Sequence, residues 1–271
     1  MSIEARSPKP REGSFGRSLA IQARVLNALL LREIITRFGR YNVGVLWLFV
    51  EPMLFTLAVS ALWVAAGLHQ FSNLPIVAFA ITGYSSVLLW RNTATHCTSA
   101  VRNNLNLLFH RNVRVIDVLA ARIVLECAGA SASFLLLSLL FIATESMSPP
   151  ADLLKVLAGW LLLGWFGASL GLLLGAASAY SELVVRLWQP LAYILFPLSG
   201  AAFMVTALPP AAQEFVLLLP MVHGVEMVRD GFFGEVVRTR YDVSYLAGVS
   251  LVFTLLGLLM VRDVARRVGD E

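Results

Sequence analysis

Six long apolar stretches joined by short polar segments leave this chain little choice but to fold inside a membrane. Gly44 to Leu68 carries a single charge, Glu51, and Leu74 to Trp90 carries none. Ile123 to Ala143 has only Glu126, while Val156 to Ser181, Leu187 to Leu208 and Val243 to Val261 have none. A helix needs about 20 apolar residues to cross a ~30 Å hydrocarbon core. All six meet that need, the Leu74 stretch only just. The expected fold is all-α and integral to the membrane, with transmembrane helices at about 44–68, 74–90, 123–143, 156–181, 187–208 and 243–261.

Basic residues set the orientation. Of 21 Lys and Arg, 17 fall before the first span, around the joint between spans two and three, at Arg186, or after span six. The other four are Lys155, Arg229, Arg238 and Arg240. The positive-inside bias places both termini in the cytoplasm, and an even span count agrees. A 58% hydrophobic content and a mean hydropathy of +0.76 exclude a large soluble domain. The net charge of +4 sits on the cytoplasmic segments and speaks for insertion and anionic headgroups, not for nucleic acid. Cys97 and Cys127 lie on the cytoplasmic side and inside span three, so no structural disulfide is expected. The first apolar run is too long for a signal-peptide core, and no cleaved leader is expected.

The organisation follows from composition. Residues 1–17 are rich in proline, glycine and charge and read as a disordered tail. Residues 18–42 read as an interfacial amphipathic helix with two faces: Ile21, Val25, Leu26, Leu29 and Leu30 on one, Leu31, Ile34, Ile35 and Phe38 on the other. Either its buried partner changes near Leu30 or the helix breaks there. Residues 43–266 form the membrane domain, and 267–271 a cytoplasmic tail. Between Trp90 and Val118 runs the long inward loop, where Leu107, Leu108 and Phe109 sit among Asn103, His110, Arg111 and Arg114; a short helix lying under the membrane suits it. Between spans five and six, an apolar octet from Phe215 to Val222, broken by Pro220, is too short to cross. With the segment from His223 to Gly231 it reads as re-entrant or interfacial helices.

Several motifs are better explained by packing than by chemistry. Gly167-Ala168-Ser169-Leu170-Gly171 matches a nucleophile elbow, but it lies inside an uncharged span and continues to Gly175. Small residues at every fourth position let membrane helices approach closely. His69, His96, His110 and His223 show no ligand spacing, so no metal site is expected. Glu51 and Glu126 are acids deep in spans and therefore functional candidates. Glu51 could line a path, bind a partner helix or reach the cytoplasmic interface. No Walker A motif exists: Lys9 precedes Pro10 and Lys155 precedes Val156. If ATP drives this protein, another polypeptide binds it.

The order of amphipathic helix, six spans, inward helix after span two and re-entrant segment before span six resembles the membrane subunit of ABC-2-type exporters. The stretch Leu31-Arg32-Glu33-Ile34-Ile35-Thr36-Arg37-Phe38-Gly39-Arg40-Tyr41-Asn42-Val43-Gly44, with Leu46-Trp47 and Glu51-Pro52, is similar to a signature of the polysaccharide-exporting branch. Thr82-Gly83-Tyr84, Trp90-Arg91-Asn92, Phe109 to Val115 and Leu219 to Met227 resemble capsular-polysaccharide permeases of the KpsM type. The resemblance runs from about Ser18 to Arg266. It implies a permease with no cofactor of its own and no catalytic residues, working as a homodimer with two copies of a separate ABC ATPase that holds ATP and Mg. It further implies export of a lipid-linked capsular polysaccharide, or of another lipid-linked glycan such as O-antigen or teichoic acid, across the bacterial inner membrane. A periplasmic co-polymerase-type protein and an outer-membrane polysaccharide export protein would take the polymer onward.

With that frame, Asn103, Leu107, Leu108, Phe109, His110, Arg111 and Arg114 are expected to dock the ATPase. Trp188, Gln189, Phe196, Ser199 and Phe203 fall on one side of a helical wheel through span five and, with Glu51, are expected to line the sugar path. Pro220, His223, Glu226, Arg229 and Asp230 are expected to form an outward gate. The last three, at i, i+3 and i+4, can pair with one another or with a partner.

Overall fold

The computed structural model describes residues 15–38, 44–65, 70–71, 74–108 and 113–270. The chain is built from helices: α1 (Phe15–Phe38), α2 (Gly44–Ala65), α3 (Ile76–Asn103), α4 (Leu105–Leu108) and α5 (Val115–Ala143). Then come α6 (Leu153–Tyr180), α7 (Glu182–Leu198), α8 (Pro210–Val216), α9 (Pro220–Phe233) and α10 (Val243–Asp270). A two-residue antiparallel pairing of Gln70–Phe71 with Leu74–Pro75 precedes α3. Among the described residues, Val115–Ala143, Leu153–Tyr180 and Val243–Arg267 are long and apolar enough to cross a membrane, and the bent pair formed by α8 and Pro220–Val236 would make a fourth.

The bundle is organised around α3, which packs on α2, α5, α6, α7 and α9. That position explains its composition. Phe79, Ala80, Ile81, Val87 and Trp90 are fully buried, and so are Thr82, Ser86 and Thr93. The hydroxyls are tolerated because each donates to its own helix: Thr82 to the Ala78 carbonyl at 2.8 Å, Ser86 to Thr82 at 2.6 Å and Thr93 to Leu89 at 2.6 Å. The expected end at Trp90 is therefore too early. The helix runs on to Asn103, because helix packing covers this stretch although it is not continuously apolar.

Glycines set how close the neighbours come. A Cβ on Gly167 would lie 2.7 Å from the Trp90 Cα, and one on Gly175 would lie 2.9 Å from the Cys97 carbonyl oxygen. The Gly167–Gly171–Gly175 ridge of α6 thus presses against the α3 backbone, as its spacing predicts. Lower down α6, Gly159 meets the backbone of Val228 in α9. Outward, α5, α6 and α10 show leucines: Leu135, Leu139, Leu161, Leu255 and Leu259 are at least half exposed.

Two further boundaries differ from the sequence reading. α1 begins at Phe15, before the expected Ser18, and runs unbroken through Leu30, so of the two expected alternatives the change of buried partner is the one found. Val25, Leu26, Leu29 and Leu30 pack on Val101, Val118 and Val264, and Ile34 joins Leu30 against Leu125. Leu31 and Ile35 stay exposed. Span five does not reach Leu208: α7 carries Pro190 and Pro197 and stops at Leu198. Pro197 removes a backbone donor, and Gly200 then takes φ +86°, a conformation that glycine adopts without strain. The wheel used for the path residues consequently ends before Phe203.

Candidate functional site

The residues expected at the gate and those at the end of the path meet behind the α7 terminus. The irregular stretch that follows α7 has carbonyls with no helical partner. Here Arg229 of α9 supplies the donors. Its Nη1 donates to the Gly200 and Phe203 carbonyls, both at 2.6 Å, and its Nη2 to Ala201 at 2.7 Å. The guanidinium lies on the Phe79 ring, 3.8 Å from the centroid. Gly83 makes room, since a Cβ there would sit 2.4 Å from Nη2. Glu226 works one turn earlier, accepting the backbone N–H of Val205 and of Arg240, each at 3.2 Å. Both side chains are 0% exposed. The expected surface pairing of Glu226, Arg229 and Asp230 gives way to three separate tasks, because the irregular stretch after α7 has backbone groups that only side chains can satisfy.

Asp230 turns the other way. It accepts the Tyr241 hydroxyl at 2.9 Å and pairs with Lys155 at the start of α6, also at 2.9 Å. Burial, then donation to Asp230, pushes the Tyr241 phenol above its usual pKa. His223 is buried and bridges two segments. Its Nδ1 accepts the Asp242 N–H at 2.8 Å, which leaves Nε2 to carry the hydrogen donated to the Leu217 carbonyl at 2.8 Å. Pro220 opens α9 at its first turn, where a missing N–H is harmless. His223 ties the joint at Leu217, where α8 and the segment Pro220–Val236 meet at a bend of 106°.

Path residues separate into two groups. Trp188 is buried and donates its indole N–H to Thr95 at 2.9 Å; Ser199 is buried and donates to the Phe196 carbonyl at 2.6 Å. Both face α3. Gln189 is exposed. Phe196 lies in an aromatic patch, with its ring 5.6 Å from Tyr84 and 5.7 Å from Phe55. The Arg91 guanidinium caps this patch, 5.2 Å from Phe196 and 5.0 Å from Tyr193. Phe203 packs with Val205, Val216 and Val222 and is joined to Arg229 through its carbonyl. For Glu51 only its place in α2 is described.

At the opposite end, Asn103 closes α3, and Leu107 and Leu108 lie in α4, half-buried against the cluster that also holds Leu29 and Val118. Leu108 and Arg114 line a groove of ≈ 370 Å³ with Ile116, Leu258, Val261 and Arg262. Phe109, His110 and Arg111 lie outside the described residues.

Residues 24–233 match the family model described as ABC-2 type transporter. The chain belongs to this family. It is also similar, at 45% identity over 258 residues, to the capsule polysaccharide export inner-membrane protein CtrC of Neisseria meningitidis serogroup B, covering 95% of this chain and 97% of that protein. With the same coverage it is 42% identical to the capsule polysaccharide export inner-membrane protein BexB of Haemophilus influenzae. The polysialic acid transport protein KpsM of Escherichia coli is 25% identical over 242 residues, 89% of this chain and 94% of that protein.

In this ABC-2 protein, Glu126 belongs to a chain of charges whose other members the sequence reading missed. His96 reaches it at 3.0 Å and Arg122 at 3.3 Å. Arg122 also pairs with Glu33 of α1 at 2.8 Å, Asn104 bonds the same Glu33 at 3.2 Å, and Arg32 bonds Asn104. Gln22 bonds Asp117. The first helix is therefore fastened to α3 and α5 by polar contacts as well as by its leucines. Only Arg122 and Glu126 advertise this in the sequence, through their i, i+4 spacing.

Proposed function

We propose that this ABC-2 protein is the transmembrane subunit of an ATP-driven exporter that moves lipid-linked capsular polysaccharide across the bacterial inner membrane. The observation that carries the reading is the near full-length similarity to CtrC and BexB, both capsule polysaccharide export inner-membrane proteins. Disrupting the gene should abolish surface capsule and leave polymer inside the cell, and the intact gene should restore it. Normal surface capsule in the disrupted strain overturns the reading. Loss of O-antigen with capsule intact reassigns the substrate to another lipid-linked glycan.

In this reading six spans cross the membrane with both termini inside. The chain works as a homodimer, and two copies of a separate ATPase bind ATP and Mg on the cytoplasmic side. A periplasmic co-polymerase-type protein and an outer-membrane export protein receive the polymer outside. The α8–α9 elbow is the outward gate, held by Pro220 and His223 and braced from behind by Glu226, Arg229 and Asp230. Cysteines at the exposed positions Leu218 and Val236 should react with an impermeant thiol reagent from the periplasmic side only. Labelling of both from the cytoplasm alone inverts the topology.

The inward segment from Asn103 to Arg114 docks the ATPase, with Leu107 and Leu108 as its apolar contact and Arg114 at its rim. Leu108→Asp combined with Arg114→Glu should leave insertion intact and lower export about tenfold or more, since an interface anchor and a charge are both lost. Export and ATPase co-purification at wild-type level in that variant remove this segment from the interface.

A further inference from the structure

Arg91 is a charge in the middle of the bundle that pairs with no acid among the described residues. Its neighbour Trp90 lies against Gly167, so close that a Cβ on the glycine would come within 2.7 Å of the Trp90 Cα. Gly167 stands at the centre of α6, a helix long and apolar enough to cross a bilayer. Arg91 is therefore level with the middle of this apolar helix and inside α3, not at the end of a span as the expected boundary at Trp90 had it. Its Nε is buried without a hydrogen-bond partner, and among the described residues its guanidinium pairs with no carboxylate. Charged side chains at this depth face a cavity or a path and pair with something there.

What surrounds Arg91 suggests the chemistry of that partner. Tyr193 and Phe196 flank the guanidinium, and Tyr84 and Phe55 continue the aromatic surface. Tyr193 is 66% exposed and Phe55 40%, so the patch opens at the edge of α2 and α7, away from the core behind α3. Ring stacking compensates part of the charge, but it leaves the buried Nε–H without an acceptor. The guanidinium edge that carries it matches a carboxylate, which can accept two parallel hydrogen bonds. The rings beside it offer flat apolar faces to the C–H side of a pyranose.

We infer that Arg91, Tyr193, Phe196, Tyr84 and Phe55 form a saccharide subsite in the translocation path that selects acidic sugars, with Arg91 taking the sugar carboxylate. The inference rests on the export reading and adds the charge of the polymer to it. Each acidic unit replaces the previous one on the same guanidinium, so the contact is renewed and the polymer does not stall.

The test uses the permease with its ATPase in nanodiscs of phosphatidylcholine alone, which removes anionic lipid as a competing source of charge. The probes are an oligomer of hexuronic acid and the same oligomer after carboxyl reduction to the neutral hexose, titrated by thermophoresis. The wild-type complex should bind the acidic oligomer about tenfold more tightly, the equivalent of about 1.4 kcal/mol. Arg91→Gln should bind the two alike, Arg91→Lys should keep part of the preference, and Phe196→Leu should weaken both to a similar degree. A wild-type complex that binds both oligomers equally, or an Arg91→Gln variant that still prefers the acid, overturns the subsite. Failure of the wild-type complex to bind either oligomer also overturns the subsite, whereas the export reading stands or falls on the capsule of the disrupted strain.

Discussion

Replacing Arg229 with methionine should cost this permease about 3–5 kcal/mol of stability, the range seen when one member of a buried, hydrogen-bonded charged group is removed. The size follows from what the side chain holds. Methionine fills similar space, but the carbonyls of Gly200, Ala201 and Phe203 would lose their donors inside the protein. Glu226, buried nearby, would lose its closest compensating charge. Arg229→Lys keeps the charge but not the planar fork that reaches three carbonyls and lies on Phe79, so it should recover less than half of the loss. Thermal unfolding of the detergent-solubilised protein measures both. A methionine variant that melts with the wild type would mean that those carbonyls find donors elsewhere.

Gly231→Ala should be the next most damaging single change. Its new Cβ would lie 2.5 Å from the Val156 nitrogen and 2.9 Å from the Asp152 carbonyl oxygen, both backbone atoms at the start of α6. Backbone at a capped helix start cannot yield as a side-chain tip would. The same junction holds two hydrogen bonds, from Ala151 to the Phe232 carbonyl and from Asp152 to the Gly231 carbonyl. Overpacking of this kind costs about 1–3 kcal/mol and can separate the elements outright. Gly248→Ala is the control: nothing lies within 4 Å of its added Cβ, so the exchange should be neutral or stabilise α10 by up to about 1 kcal/mol. Equal melting temperatures for the two alanine variants would refute the close approach of α9 and α6.

Apolar length alone made the middle of the helices at Val115–Ala143, Leu153–Tyr180 and Val243–Asp270 legible, but α5 begins at Val115 and not at Ile123, and α10 runs to Asp270 and not to Val261. It failed for α3 because a central helix need not be apolar throughout: Thr82, Ser86 and Thr93 satisfy themselves on their own backbone, and the flanks cover them. It failed at the end of α7 because the apolar run continues past Leu198 while Pro197 and Gly200 already stop the helix. The glycine ridge of α6 was readable, since packing is the only use an uncharged span has for that spacing. The roles of Glu226 and Arg229 were not, because their partners are backbone groups and leave no mark in the side-chain pattern. The Arg91 patch was hidden for a different reason. Tyr193 and Phe196 come from a helix far along the chain, and no local period connects them to α3.

The glycine contacts along α6 also limit where this protein can move. Where two backbones touch, no layer of adaptable side chains remains to absorb sliding, so shear between them is blocked. Gly167 and Gly175 weld α6 to α3, Gly159 and Gly231 weld it to α9, and a Cβ on Gly257 of α10 would lie 3.0 Å from the Leu172 Cβ. These four helices behave as a stator. The moving part must be sought in α2 and in α7, whose two prolines interrupt its own hydrogen-bond ladder and whose outer face, at Leu187, Leu191 and Ile194, is left exposed by the described residues. In the proposed exporter, a stroke delivered by the ATPase would tilt α7 against this frame, opening and closing the side on which Tyr193 stands.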